Sequence, residues 1–180
     1  MAVTVLFAAT AERWRDYKEP LTEAFREAGV DAHLVLDADP SDVEYIVYAP
    51  NSAIQDFSPF TQLKAVLSLW AGVEQVVGNP TLHVPLARMV DENLTRGMVE
   101  WVCGHVLRYH LELDQQIIVQ DGIWRPNAPP VATDRRVGVL GLGALGRACA
   151  EMLATLGFAT AGWSRSEKMI NGIACLSGDD

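Results

Sequence analysis

The chain has 180 residues, 49% of them apolar, with 14 basic and 23 acidic side chains and a formal net charge of -9. That length holds one or two ordinary domains with a real core. So acidic a surface repels phosphate backbones and anionic bilayers, which removes nucleic acid and membrane as general partners but leaves room for a small anion at one local positive site. No apolar stretch approaches the ~18 residues of a membrane span. The first ten residues lack the basic flank of a secretory signal. The cysteines, Cys103, Cys149 and Cys175, are odd in number and widely spaced, so they define neither a disulfide framework nor a metal site. A cytoplasmic protein without a metal is expected.

In chain order, Val3 to Ala8 (VTVLFA) reads as a strand. Glu12 to Ala28 reads as an amphipathic helix stopped by Gly29. Strands are expected at His33 to Leu36, Glu44 to Tyr48, Leu63 to Leu69 and Leu86 to Val90, with a short helix over Gly72 to Val77. Five short β-runs joined by crossover segments imply a parallel sheet covered by helices, an α/β unit of flavodoxin-like kind over residues 1–93. Residues 94–180 form the rest. A long helix is expected from Leu94 to Val119, where Val99, Val102, Cys103, Val106 and Leu107 make one apolar stripe. A proline-rich irregular arm over 121–134 follows, and then a second unit opens with the strand Val137 to Leu140.

That strand runs into Gly141, Gly143 and Gly146, a G-x-G-x-x-G turn. Leu145, Cys149, Met152, Leu153 and Leu156 then mark one helix face, Gly157 ends the helix, and Phe158 to Trp163 is a second strand. The context is the first βαβ unit of a Rossmann NAD(P)-binding domain. The first glycine permits the tight turn, the second admits a pyrophosphate against backbone, and the third lets helix and strand approach. The N–H groups of this turn and of Ala144 and Leu145 at the helix start are the expected phosphate donors. The same pattern also occurs as a βαβ turn that holds no ligand.

At the tip of the second strand, where an acidic residue would hold the ribose hydroxyls of NAD, the sequence instead reads Trp163-Ser164-Arg165-Ser166. Arg165 suits the 2′-phosphate of NADP, with Ser164 and Ser166 as further donors, so NADP (NADPH) is expected over NAD. The alternative is that Arg165 is a solvated surface charge.

The segments LKAVLSLWAGVEQV (63–76), VPLARMVDENLTRGMVEWVCGHVLRYH (84–110), QDGIWRP (120–126) and VGVLGLGALGRACAEMLATLGFATAGWSRS (137–166) stand in a fixed order. In this the chain resembles the D-isomer-specific 2-hydroxyacid dehydrogenases, and among them the bacterial glyoxylate/hydroxypyruvate reductases. Residues 1–60 fit by architecture only. The resemblance implies an NAD(P)-dependent enzyme that reduces a small 2-oxoacid by hydride transfer. It places backbone amides of Leu69, Trp70, Ala71, Gly72 and Val73 against the substrate carboxylate, where a plain strand–helix turn is the alternative. Trp70 stands where relatives often carry glycine. Thr95 and Met98 match positions facing the nicotinamide, or else they merely pack the helix start. Trp124 matches an arm residue that reaches a partner subunit, so a homodimer through 94–130 is implied. A simply buried loop tryptophan would read the same.

The family's carboxylate-binding arginine and its histidine–glutamate acid/base pair follow the second Rossmann strand. None has a counterpart here, and His33, His83, His105 and His110 occupy no family catalytic position. The expectation is therefore an N-terminal portion of such an enzyme, cut before its catalytic residues and inactive alone. A non-catalytic nucleotide-binding module is the rival. A methyltransferase-like protein fits poorly, because the glycine turn follows a complete α/β unit.

Overall fold

The computed structural model describes residues 2–178. The chain divides into two compact units, Met1–Val90 and Asp91–Asp180.

The first unit is built on β1 (Val3–Ala8), α1 (Ala11–Glu27), β2 (Ala32–Val35), β3 (Tyr45–Tyr48), β4 (Ala65–Ser68) and β5 (Leu86–Ala87). The strands are all parallel in the order β2-β1-β3-β4-β5, which is the flavodoxin order. Alternation decides which side chains go where. Val5, Phe7 and Val47 face α1, whose Trp14, Tyr17, Leu21 and Phe25 cover them. Leu6, Ala8, Ile46, Tyr48 and Val66 face the opposite layer with Val43, Phe57 and Val76. Two covered faces explain why these strands are nearly continuous in apolar residues. Helix α1 ends as its sequence demands: Gly29 adopts φ +66°, and the Val30 N–H returns to the Phe25 carbonyl at 2.8 Å.

Three expectations here are corrected. The strands expected over Leu63 to Leu69 and Leu86 to Val90 contract to Ala65–Ser68 and Leu86–Ala87. The helix expected over Gly72 to Val77 does not form. Val76 and Val77 both donate to the Val73 carbonyl, at 2.9 Å each, which makes one turn that is not propagated. A single turn spends backbone entropy on too few hydrogen bonds to persist as a helix.

The second unit contains α2 (Glu92–His110), α3 (Leu113–Ile118), β6 (Arg136–Leu140), α4 (Ala144–Thr155), β7 (Ala159–Ser164) and β8 (Ala174–Ser177). Its three strands are parallel in the order β6-β7-β8. Val99, Val102, Cys103, Val106 and Leu107 of α2 pack with Leu153 and Phe158, so the apolar stripe of α2 has its partner in α4 and the strand start beside it. Burial raises the thiol pKa of both Cys103 and Cys149, which makes them core residues rather than reactive ones.

The long helix expected over 94–119 starts earlier and breaks in the middle. Asp91 accepts from the Leu94 N–H at 2.8 Å and caps α2, which starts at Glu92, two residues before the expected Leu94. Helix α2 stops at His110, where Glu112 takes φ +54° and starts the separate α3. The arm from Asp121 to Val131 is irregular and almost wholly exposed. Among the described residues, no helix is long and apolar enough to cross a membrane, and no cluster of His, Cys, Asp and Glu is placed to hold a metal.

Candidate functional site

The glycine turn sits at the carboxyl end of β6, the position from which open α/β sheets present ligands. Gly141 has φ +101°, and its N–H closes the sheet on the Trp163 carbonyl at 2.8 Å. A side chain there is strained whatever the space. Gly143 is the N-cap of α4 and has extended backbone, φ -74° and ψ -169°, which any residue adopts. A Cβ built on it meets nothing within 4 Å. Its value is the open space above it. Gly146 differs: a Cβ there would lie 1.8 Å from the Gly141 carbonyl oxygen, so helix and turn can meet only without a side chain.

Helix α4 has no side-chain cap and no acidic residue in its first turn. Its first internal bond runs from the Arg147 N–H to Gly143 O, at 2.9 Å. The N–H groups of Ala144, Leu145 and Gly146 precede that bond and find no intrahelical acceptor. With the helix dipole behind them, they suit an anion. Leu145 also turns its side chain partly inward.

Gly162 belongs to this assembly and was not singled out from the sequence. A Cβ on it would fall 2.4 Å from Leu142 Cδ2, and Leu142 is the buried residue between the first two glycines. The signal was available, since an isolated glycine inside a strand often marks close approach.

At the tip of β7, Ser164 is buried and its hydroxyl donates to the Ser166 carbonyl at 2.7 Å. That proton is already used, so Ser164 shapes the turn. Arg165 projects from it, exposed and without an ion pair among the described residues. Ser166 is exposed beside it. Thr95 and Met98 lie on the first turns of α2, both half-buried, with the Thr95 hydroxyl donating to the Asp91 carbonyl at 3.0 Å.

In the first unit, residues Leu69 to Val73 follow β4. The Leu69 N–H is spent on the Tyr48 carbonyl and the Trp70 N–H on the Ser68 hydroxyl. Those of Ala71, Gly72 and Val73 make no hydrogen bond among the described residues. The free donors are therefore the last three of the five residues. They do not open a helix, and the Glu74 carboxylate lies against Gly72, where a Cβ would be 2.9 Å from its Oε2. An anion approaching Gly72 from that side would meet the exposed Glu74 carboxylate, which would have to swing aside. The Trp70 side chain is 44% exposed beside this loop.

A parallel unit whose first strand turns on three glycines into an uncapped helix is the front of a dinucleotide-binding domain. Comparison with known proteins is consistent. Residues 102–175 match the NAD-binding domain of the D-isomer-specific 2-hydroxyacid dehydrogenases. Glyoxylate/hydroxypyruvate reductase A of Yersinia enterocolitica is 32% identical over 80% of this chain and 48% of its own length. The Serratia proteamaculans protein of that name is 31% identical over 93% of this chain and 54% of its own. Among solved structures, a D-isomer-specific 2-hydroxyacid dehydrogenase from Xanthobacter autotrophicus in complex with NADPH superposes with a TM-score of 0.86 at 32% identity, covering 99% of this chain and 58% of that one. An NADPH-dependent glyoxylate/hydroxypyruvate reductase from Sinorhizobium meliloti in complex with NADP and sulfate gives 0.74 at 32% identity, covering 98% and 57%. Over most of its length the chain is similar to D-isomer-specific 2-hydroxyacid dehydrogenases, and residues 102–175 match the NAD-binding domain of that family. The chain spans about half the length of the curated relatives it matches.

Proposed function

We propose that these residues bind NADPH for the reduction of a small 2-oxoacid of the glyoxylate or hydroxypyruvate type, with the hydride passing from nicotinamide to the keto carbon. The observation that carries the proposal is the glycine turn, where close approach of Gly146 to the Gly141 carbonyl sets the uncapped start of α4, with its free N–H groups, against the end of β6. The pyrophosphate would lie on Gly141, Gly143, Ala144, Leu145 and Gly146, and the 2′-phosphate on Arg165 with Ser166. The amides of Ala71, Gly72 and Val73 would take the substrate carboxylate. Thr95 and Met98 are assigned to the nicotinamide end by resemblance alone.

The cofactor supplies the redox chemistry, and what the reaction also needs is a proton donor for the new alkoxide. Among the described residues none of the four histidines is paired with a carboxylate of the kind that orients a catalytic imidazole: His33 and His83 are exposed on the first unit, His105 is bonded to the Trp101 carbonyl at 2.9 Å, and His110 is buried against Phe158. The 180-residue polypeptide is therefore expected to bind NADPH without reducing glyoxylate. Binding is read by quenching of tryptophan fluorescence and turnover by NADPH absorbance. Turnover above that of a Gly143→Asp variant would overturn this expectation. Absence of NADPH binding by a folded chain would overturn the cofactor site and favour a module with another ligand.

We also propose that a second copy of the chain covers the surface of 94–130. Ile117, Ile118, Ile123 and Trp124 are all exposed there, Trp124 at 88%. So many exposed apolar side chains along one segment mark an interface, and two-fold self-association is the commonest way to cover it. Sedimentation at roughly 20 µM should show a dimer, with Trp124→Ala shifting it toward monomer. A folded wild-type monomer at that concentration would refute this interface.

A further inference from the structure

The second unit holds a cavity that the nucleotide turn does not use. It measures about 310 Å³ and is lined by His105, Tyr109 and His110 of α2, by Arg135 and Arg136 where β6 begins, and by Phe158. Two guanidinium groups and two imidazoles border it and no carboxylate does, in a chain whose net charge is -9. Neither arginine forms an ion pair among the described residues.

A second observation is independent of charge. His110 is only 8% exposed, its ring edge-on to Phe158 at 5.0 Å between centroids. Its Nδ1 and the Nε of Arg135 are buried and meet no hydrogen-bond partner. Buried polar atoms nearly always find partners. Those two atoms are closed to solvent, but His110 Nε2 and the Nη atoms of Arg135 are not, and they make no hydrogen bond among the described residues, which leaves them to a guest that carries oxygen atoms.

We propose that this cavity binds a small dianionic oxyanion of the phosphate type. Guanidinium groups present forked N–H donors that match tetrahedral oxygens, and two of them balance two negative charges. The carboxyl end of α2 opposes this with about half a negative charge, which two full positive charges outweigh. His105 forms a fixed wall, stacked on Trp101 at 4.1 Å and bonded through Nδ1 to the carbonyl of that residue. The site is distinct from the nucleotide turn, because β6 runs from Arg136 to Leu140 between them, about 16 Å at the usual rise of a strand.

The test is a melting-temperature titration of the chain with inorganic phosphate at constant ionic strength, with chloride and acetate as controls. A parallel arm with glycerol 3-phosphate separates the free ion from the phosphate group of a larger molecule. Phosphate, or the ester, should stabilise the protein well beyond both controls. Arg136→Gln, at an exposed position that leaves the core intact, should weaken the apparent affinity about tenfold, and Arg135→Gln by at least as much. Gly143→Asp, which blocks the nucleotide turn, should leave in place the part of the effect that Arg136→Gln removes. The proposal is overturned if phosphate acts no more strongly than chloride, or if Gly143→Asp removes the effect while Arg136→Gln keeps it.

Discussion

Gly146→Ala is expected to unfold the front of the dinucleotide unit, whereas Gly143→Ala is expected to leave the fold intact and remove NADPH. The two substitutions add the same methyl group three residues apart. At Gly146 the new carbon would sit 1.8 Å from the Gly141 oxygen and 3.0 Å from its carbonyl carbon. Both are backbone atoms, and the same residue must keep φ +101° and its bond to Trp163. Relief requires α4 to move away from β6, against the packing of Ala150 and Leu153, which are fully buried. Overpacking of this kind costs about 3 kcal/mol or more, enough to lower the melting temperature by many degrees. At Gly143 the added carbon meets nothing within 4 Å and the backbone is already extended. Stability should stay within about 1 kcal/mol of the wild type. The methyl group instead fills the space through which a pyrophosphate approaches the helix N-terminus. Loss of one or two charge-assisted hydrogen bonds, each worth ~1.5–3 kcal/mol, weakens NADPH at least tenfold and up to roughly ten-thousandfold. Thermal melts and NADPH titrations of the two variants check this. Equal melting temperatures for both would refute the packing argument, and unchanged NADPH affinity in Gly143→Ala would refute the ligand argument.

The parts of this molecule legible in the sequence were those fixed by local chemistry. Gly29 announced the end of α1, and the spacing of Gly141, Gly143 and Gly146 after an apolar strand announced the nucleotide turn. The parallel sheet followed from short runs rich in Val, Ile and Leu separated by crossovers. What failed to read was set at longer range. The apolar pattern continues through Leu111, Leu113, Ile117 and Ile118, so nothing in residue type marked the break at Glu112, which is neither glycine nor asparagine yet takes φ +54°. Its Ile117 and Ile118 remain exposed, so the periodicity there does not report burial against this chain. The turn over Gly72 to Val77 carried enough apolar residues to suggest a helix but only one propagating step of hydrogen bonding. At the site, Gly162 went unnoticed because its constraint comes from Leu142, twenty residues earlier. The role of Ser164 was read as a ligand donor, although the fold uses its hydroxyl on Ser166.

The Ser164 geometry decides how cofactor choice should be tested. An acid at 164 would point a carboxylate into a buried position facing the Ser166 carbonyl, so it would probe folding and not preference. The informative position is Arg165, which is exposed and makes no competing ion pair among the described residues. Its guanidinium can pair with the 2′-phosphate of NADP through charge-assisted hydrogen bonds and offers little to the uncharged ribose of NAD. Solvent screens an exposed pair, so the contribution falls toward the low end of the ~1.5–3 kcal/mol range for such bonds. Arg165→Ala is then expected to weaken NADPH by roughly one power of ten and to leave NADH within a few fold. Arg165→Asp should go further, because it sets a negative charge against the phosphate and offers an acceptor to the ribose hydroxyls. Raising the salt should narrow the gap between the cofactors in the wild type and leave it unchanged in Arg165→Ala, since only the first carries the screened pair. Titrations of both cofactors into the three proteins, at low and high ionic strength, check each step. Equal weakening of NADPH and NADH by Arg165→Ala would make Arg165 a general phosphate-steering or structural residue, and the NADP assignment would fall with it.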